Sequence, residues 1–405
     1  MQLLIKNARI LKNGKLVSSD ILIEKGKIKK ISKKIQIKSK SLKILDAKGN
    51  FAMPGSIDMH VHFREPGLTH KEDFLSGSMA CAKGGITTFF DMPNTIPPTT
   101  TVERLEEKRN LAKKSVVNYG FHFGGVENNL SQIKKAKNIA SVKLYLDHTT
   151  GNLKVDDWDF VADVMKNSRM TIVHAEGLNV KKCVDLMIKN RIKNRLHIAH
   201  TSSEQELNFA KNNKIKKRIS VEVTPQHLYM TKEDVQKIGS YAEMKPSLKA
   251  KKDAAALWGG VKSGKVDMIA TDHAPHLREE KEKADYPFGI PGVETMLPLL
   301  FTSFNEGKIS LQKIQQLCCE NPAKIFKIRS KGFLKAGYDA DIAIADLSSK
   351  YALNPDDLLT KCKWSPFEGK TLKGKIAATI VNGNIIYEKG KITNINLKGK
   401  EVSYS

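Results

Sequence analysis

Between residues 56 and 271 the chain repeats one pattern eight times: a short apolar segment, then a stretch of helical or loop character. The segments are Ser56–Phe63, Ile86–Met92, Asn118–Gly124, Ser141–Leu146, Thr171–Ala175, Leu196–Thr201, Ile219–Val223 and Val266–Thr271. Helical stretches such as Val102–Lys114, Glu204–Asn212 and Lys252–Ser263 lie between them. Repeated β-α alternation implies a parallel sheet. Eight such units in about 280 residues predict a (β/α)8 barrel over residues 54–333. A doubly wound open sheet is the alternative, but no GxGxxG follows the first strand.

Both ends of the chain have a different texture. Residues 1–53 read as short strands and hairpins: LLIKNARI, DILIEKGKIKKI and LKILDAKG alternate apolar with polar residues. Residues 334–405 repeat that texture in ADIAIADL, GKIAATIVNG and NIIYEKGKI. Asn13-Gly14 and Asn382-Gly383 sit in matching hairpin contexts. We read the two ends as one small β-sandwich domain assembled from both termini.

A hydrophobic fraction of 40% with 27% charged residues is that of a globular chain, not a disordered one. No apolar run approaches the ~20 residues of a membrane span, and the N-terminus lacks a signal-peptide pattern. The expected compartment is the cytoplasm. The net charge of +25 raises the question of nucleic acid. Only 10 of the 68 basic residues are Arg, however, and the lysines are scattered without aromatic partners. They read as a solvated surface, not a dedicated nucleic-acid site. The five cysteines form no CxxC pair, which fits buried thiols in a reducing compartment.

Catalytic groups of such a barrel belong at the C-terminal ends of its strands. The first strand ends in Asp58-Met-His60-Val-His62-Phe-Arg64. Residues two apart on a strand point the same way, so His60 and His62 present two imidazoles together. The fourth strand carries Lys143 between Val142 and Leu144. It is either a strand-end lysine reaching solvent or a buried amine that must be neutralised or paired. A carbamate formed with carbon dioxide would make it an anion that bridges two cations. The fifth strand ends in His174-Ala-Glu176, the sixth in His197-Ile-Ala-His200, the eighth in Thr271-Asp272-His273-Ala-Pro-His276. Scattered histidines would not respect strand ends in this way. The set supplies one metal with His60 and His62, another with His174 and His200, and a bridge with Lys143. Asp272 is the carboxylate placed to bind metal and carry a proton. The chemistry is hydrolysis, or reverse condensation, of an amide-like bond. Mixed nitrogen and oxygen ligands suit zinc, and manganese or cobalt as well.

These residues also spell a family resemblance over nearly the whole chain. His60-Val-His-Phe-Arg-Glu-Pro-Gly67, Asp91-Met-Pro-Asn-Thr95, Lys143-Leu-Tyr-Leu, His174-Ala-Glu, His197-Ile-Ala-His200, Thr224-Pro-Gln-His-Leu228 and Ala270-Thr-Asp-His-Ala-Pro-His276 resemble the dihydroorotases of the amidohydrolase superfamily. Pro291-Gly-Val-Glu-Thr-Met-Leu-Pro298 and Trp364-Ser-Pro-Phe-Glu-Gly369 resemble the same family. The resemblance implies reversible cyclisation of N-carbamoyl-L-aspartate to L-dihydroorotate in pyrimidine synthesis. It implies two zinc ions held by His60, His62, carboxylated Lys143, His174, His200 and Asp272. It places Arg64, Asn94 and His276 on the substrate, and it admits a homodimer and an aspartate carbamoyltransferase as partners. Arg64 points to the same side as His62 and offers a fork for a carboxylate.

Three positions depart from relatives. Lys245 stands where they carry Arg or Asn, and it meets a carboxylate as a point charge. Asp147-His-Thr-Thr150 replaces a variable loop, and either threonine is a candidate to close over substrate. Ala199 stands where some relatives have Cys. Asp58 is either a ligand or a support below the site, since alternation places it with His60. His197 and His273 read as packing or hydrogen-bonding residues, and His227 as pocket wall or core. The rivals are an allantoinase- or dihydropyrimidinase-type hydrolase, a barrel kept as a scaffold without catalysis, and an RNA-binding protein. Arg64 argues against the first, the full ligand set against the second, and the scattered lysines against the third.

Overall fold

All eight apolar segments form strands in the computed structural model, which describes residues 2–149 and 151–405. They run over Ser56–Val61, Ile86–Asp91, Asn118–Gly124, Ser141–Tyr145, Met170–His174, Arg195–Ile198, Ile219–Val223 and Met268–Ile269. Each pairs parallel to the next. The first strand and the chain beyond the last meet through a parallel bridge between Val61 and His273. There His62 N donates to His273 O at 2.8 Å, and the barrel nearly closes. Strands buried on both faces need apolar residues throughout, which is why these segments lack clean alternation.

The eighth strand is shorter than the apolar run 266–271 predicts. Asp58 is the reason. Its carboxylate accepts from Thr271 N at 3.1 Å and from Thr271 Oγ1 at 2.6 Å. A side chain thus takes the place of a backbone partner, and the ladder stops at Ile269. The crossing helices begin at side-chain caps. Thr101 accepts from Arg104 N ahead of Val102–Ala112, and Ser203 with Glu206 forms a capping box ahead of Glu204–Lys211. The helix Lys251–Ser263 ends at Gly264, whose φ of +79° suits a residue without Cβ.

The two chain ends share one nine-stranded mixed sheet. Phe51–Pro54 pairs antiparallel with Ile342–Ala352, and this pairing joins the halves. Asn13-Gly14 and Asn382-Gly383 both adopt positive φ at two consecutive residues, the geometry of a two-residue hairpin turn. Inward residues from both halves, including Leu3, Ile21, Ile342 and Ile380, form one apolar cluster. The last residues leave this sheet and return to the barrel. Glu401 bridges to Tyr119 and Tyr404 to Ile328, at the end where the third strand begins. The five cysteines are buried and unpaired. No helix among the described residues is long and apolar enough to cross a membrane.

One buried ion pair fixes the rim of the barrel near the first two strands. Lys108 Nζ lies 2.6 Å from Asp91 Oδ2, with both side chains fully buried. The same amine donates to Met92 O at 2.7 Å, and Asp91 Oδ1 accepts from Phe63 N at 2.7 Å. The pair therefore ties a crossing helix to the turns after the first two strands. Removing one partner leaves an uncompensated buried charge. Lys108→Met is expected to cost about 3–5 kcal/mol of stability, read by urea denaturation.

Candidate active site

The strand ends deliver the sequence-predicted residues to one cavity. His60 is the last but one residue of the first strand, and His174 closes the fifth. Lys143 lies in the middle of the fourth. His62, His200 and Asp272 fall just past the first, sixth and eighth strands. These six line the cavity together with Arg64, Asn94 and Lys245. Arg64, His200 and Asp272 all have positive φ, a region that costs L-residues energy. Hydrogen bonds pin two of these turns. His200 N donates to Glu222 Oε1 at 3.1 Å, and His273 N donates to Thr271 Oγ1 at 3.0 Å.

Donor atoms converge in a trio and a pair. Asp272 Oδ1 lies 3.0 Å from His62 Nε2 and 3.3 Å from His60 Nε2. His174 Nδ1 lies 2.9 Å from His200 Nε2. Two ligands on one tetrahedral zinc with bonds of about 2.0–2.1 Å are themselves separated by about 3.3 Å. The 3.3 Å separation equals that spacing, while 2.9 and 3.0 Å suit a hydrogen bond as well as a shared cation. His60, His200 and Asp272 offer ligand atoms that all lie within 4.8 Å of one another. Lys143 lines the same cavity, fully buried, with no hydrogen-bond partner for Nζ among the described residues. A buried cation without a partner is the least tolerable group in a protein interior. The donor set therefore fits a cation pair with a modified lysine.

Electrostatics point the same way. Burial pushes the His62 imidazole down to about 4, and it holds His174 and His200 below their usual range. These rings are neutral at pH 7, the form that binds metal. Burial also takes the Lys143 amine down to about 8, against the pull of Glu222 and Asp272. Burial alone would raise Asp272, but His60, His62 and Lys143 outweigh it and keep the carboxylate ionised.

The opposite ring nitrogens orient two of the ligands. His60 Nδ1 donates to Glu222 Oε1 at 2.9 Å, and His62 Nδ1 to Asn94 Oδ1 at 2.6 Å. Each contact leaves Nε2 free to face the cavity. Glu222 is fully buried and also accepts from His197 Nε2 at 3.2 Å. Despite burial, these two imidazoles hold its carboxyl well below the usual range. Asp58 supports the site from beneath through Thr271 and His60 N and does not line the cavity. His227 is a core residue, bonded to Thr224 Oγ1 at 2.8 Å and Pro246 O at 3.1 Å. His273 accepts from Gly292 N.

Arg64 forms one wall. Its guanidinium is 3% exposed, its Nε donates to Pro275 O at 3.2 Å, and its Nη2 lies 3.0 Å from His276 Nε2. His276 stands behind Arg64 and does not line the cavity. Its Nδ1 lies 3.1 Å from Lys71 Nζ, and its Nε2 lies 3.0 Å from Phe288 O. Burial and the cations Arg64 and Lys71 keep this ring neutral, so it carries one N–H. Lys71 donating to Nδ1 puts that proton on Nε2, which then serves Phe288 O. The guanidinium has five N–H groups, and its contacts with Pro275 O and His276 Nε2 use at most two of them, which leaves donors for an anion. Burial lowers the guanidinium to about 10, which leaves it charged at neutral pH.

The facing wall carries Lys245, whose Nζ lies 4.8 Å from the Phe288 ring centroid. Thr149 lines the cavity, while Thr150 lies outside the described residues. Lys281, absent from the sequence reading, braces this wall. It is fully buried and donates to Glu243 O, Pro287 O and Gly289 O at 3.2, 2.9 and 3.2 Å. It so binds the two segments that bring Met244, Lys245 and Phe288 to the cavity. A Cβ at Gly289 would meet Ala274 O at 2.5 Å, so only glycine allows this approach. Glu222 and Tyr145 were also missed. A lone Glu between two valines on a buried strand is the one signal that pointed to Glu222.

The amidohydrolase family profile matches residues 51–386. A dihydroorotase of Methanosarcina mazei is 35% identical to this chain over 90% of each. A dihydroorotase of Staphylococcus epidermidis is 34% identical over 96% of this chain and all of its own length. Among solved structures, L-hydantoinase (dihydropyrimidinase) from Arthrobacter aurescens superposes with a TM-score of 0.92 over 99% of both chains at 27% identity. A dihydropyrimidinase from Brevibacillus agri reaches 0.91 at 21% identity over 100% of this chain and 99% of its own, which speaks to the fold alone.

Glu222→Gln keeps the shape of the side chain and removes its charge. Outer partners of metal-bound histidines are worth roughly 10–100-fold in metal affinity. The variant is expected to bind zinc weaker by that factor in a chelator-competition titration, with its fold retained by circular dichroism.

Proposed function

This chain belongs to the amidohydrolase family, and we propose that within it the protein is a dihydroorotase. It would open the ring of L-dihydroorotate to N-carbamoyl-L-aspartate and close it in the reverse direction, the step needed for pyrimidine synthesis. Arg64 is the observation that carries this reading. Its contacts among the described residues are Pro275 O and His276 Nε2, and it pairs with no carboxylate. A buried guanidinium at a reaction cavity calls for an anion from the substrate. Hydantoin and dihydrouracil rings carry no carboxylate to meet it. Dihydroorotate does. The relatives named dihydroorotase support the same choice over the hydantoinases that share the fold.

His60, His62 and Asp272 would hold one zinc ion, and His174 and His200 a second, with carboxylated Lys143 bridging them. Bound there, the pair would polarise the ring carbonyl and make hydroxide available near neutrality. The chain's own residues do the rest. Arg64 and Asn94 hold the substrate on one side, and the Lys245 charge faces it from the other. Asp272 accepts the proton of the attacking water and returns it to the ring nitrogen as the C–N bond breaks. Met244 and Phe288 close the apolar side of the cavity against bulk water.

Lys143 makes the reading pH-dependent. Only the neutral amine adds carbon dioxide. With a pKa lowered to about 8, the amine is mostly protonated at pH 7 and mostly neutral at pH 9. At fixed dissolved carbon dioxide, metal-stripped protein supplied with zinc should regain activity about tenfold faster at pH 9 than at pH 7. A flat profile would exclude the carbamate.

The decisive assay is the ultraviolet absorbance of L-dihydroorotate incubated with zinc-loaded protein. Chelator-sensitive loss of the substrate is expected. Arg64→Ala should raise KM about a hundredfold, the loss expected for a charge-assisted fork. An unchanged KM would remove the carboxylate from the argument.

A further inference from the structure

Tyr145 lies two residues beyond Lys143 on the fourth strand, so both side chains leave the same face and point into the barrel mouth. The residue is 3% exposed and lines the cavity. Its ring sits 5.2 Å from Lys143 Nζ and 6.2 Å, centroid to centroid, from His174. Its hydroxyl is buried and has no hydrogen-bond partner among the described residues. Buried tyrosines almost always find one. Packing against Lys143 and His174 uses only the ring, which phenylalanine would supply without an orphaned polar atom. The hydroxyl is therefore a donor available to a group that enters the cavity.

The surroundings select the kind of group. A phenol carries its proton at neutral pH and offers it as a donor. A donor lining the same cavity as a guanidinium without a carboxylate partner matches an oxyanion that offers several lone pairs. A ring carbonyl held at the metal pair would not need Arg64 beside it.

We propose that the Tyr145 hydroxyl donates a hydrogen bond to the substrate carboxylate beside Arg64, and so helps to set the preference for acidic rings over neutral ones. This rests on the dihydroorotase reading above. Tyr145→Phe removes one oxygen and keeps the ring, so the test reads the hydroxyl alone. The zinc-loaded full chain is assayed on L-dihydroorotate, with dihydrouracil, the same ring without the carboxylate, as inhibitor.

For the variant, KM is expected to rise about tenfold with kcat within about twofold of wild type. The dihydrouracil inhibition constant should not move. The melting temperature should rise, because an unsatisfied buried group is gone. An unchanged KM would overturn the proposal, as would a tenfold fall in kcat at constant KM, which would put the hydroxyl on the reacting carbonyl. A lowered melting temperature with unchanged kinetics would reduce Tyr145 to packing. Failure of the wild type itself on L-dihydroorotate would sink the substrate reading and this assignment with it. Failure of the variant pattern alone would sink only the second.

Discussion

The Glu222 carboxylate is the interaction on which the site depends. From the seventh strand it reaches the His60 ring on the first, the His197 ring and the His200 backbone on the sixth. One buried anion thereby fixes the tautomer of a ligand, the turn that presents a second ligand, and the spacing of three strands. Its cost of burial is offset by those donors. Without it, His60 would be free to turn either nitrogen to the cavity. His200 would lose the bond that holds it at a positive φ.

Buried lysines show how unusual Lys143 is. Lys108 faces Asp91, and Lys331 faces Asp341 and Asp339 at 2.6 and 3.1 Å. Lys281 is met by three backbone carbonyls. Each amine has been given acceptors that repay its loss of water. Lys143 has none among the described residues, though it is as deeply buried as Lys108. Selection for packing alone would have placed methionine there. Under the proposed function the amine is a reactive group whose charge would change sign on taking up carbon dioxide.

How much of this was legible in the sequence follows from what each residue had to do. The eight strands were readable because burial on both faces forces apolar residues. The six residues gathered at the cavity were readable because histidines, a lysine and an aspartate recur at or near strand ends, where nothing structural asks for them. The short eighth strand was not readable, since a side chain from the first strand replaces its ladder. Lys281 sits in Arg-Glu-Glu-Lys-Glu-Lys, which looks like a solvated charge run and hides one fully buried amine. Tyr145 drew no reading of its own, because sequence does not say whether a hydroxyl finds a partner. His276 was expected on the substrate, and the structure sets it behind Arg64, where it directs that guanidinium.

The chain's final residues cross the barrel at the end where its third strand begins, opposite the cavity mouth. Ser405 N is bonded to Lys327 O there, and its side chain is exposed. A tether built onto Ser405 would therefore leave from the far side of the barrel. Attached to a bead, an electrode or a second enzyme by that end, the protein would keep its open mouth toward the solution. Successive enzymes strung in this way would exchange small molecules without shading one another.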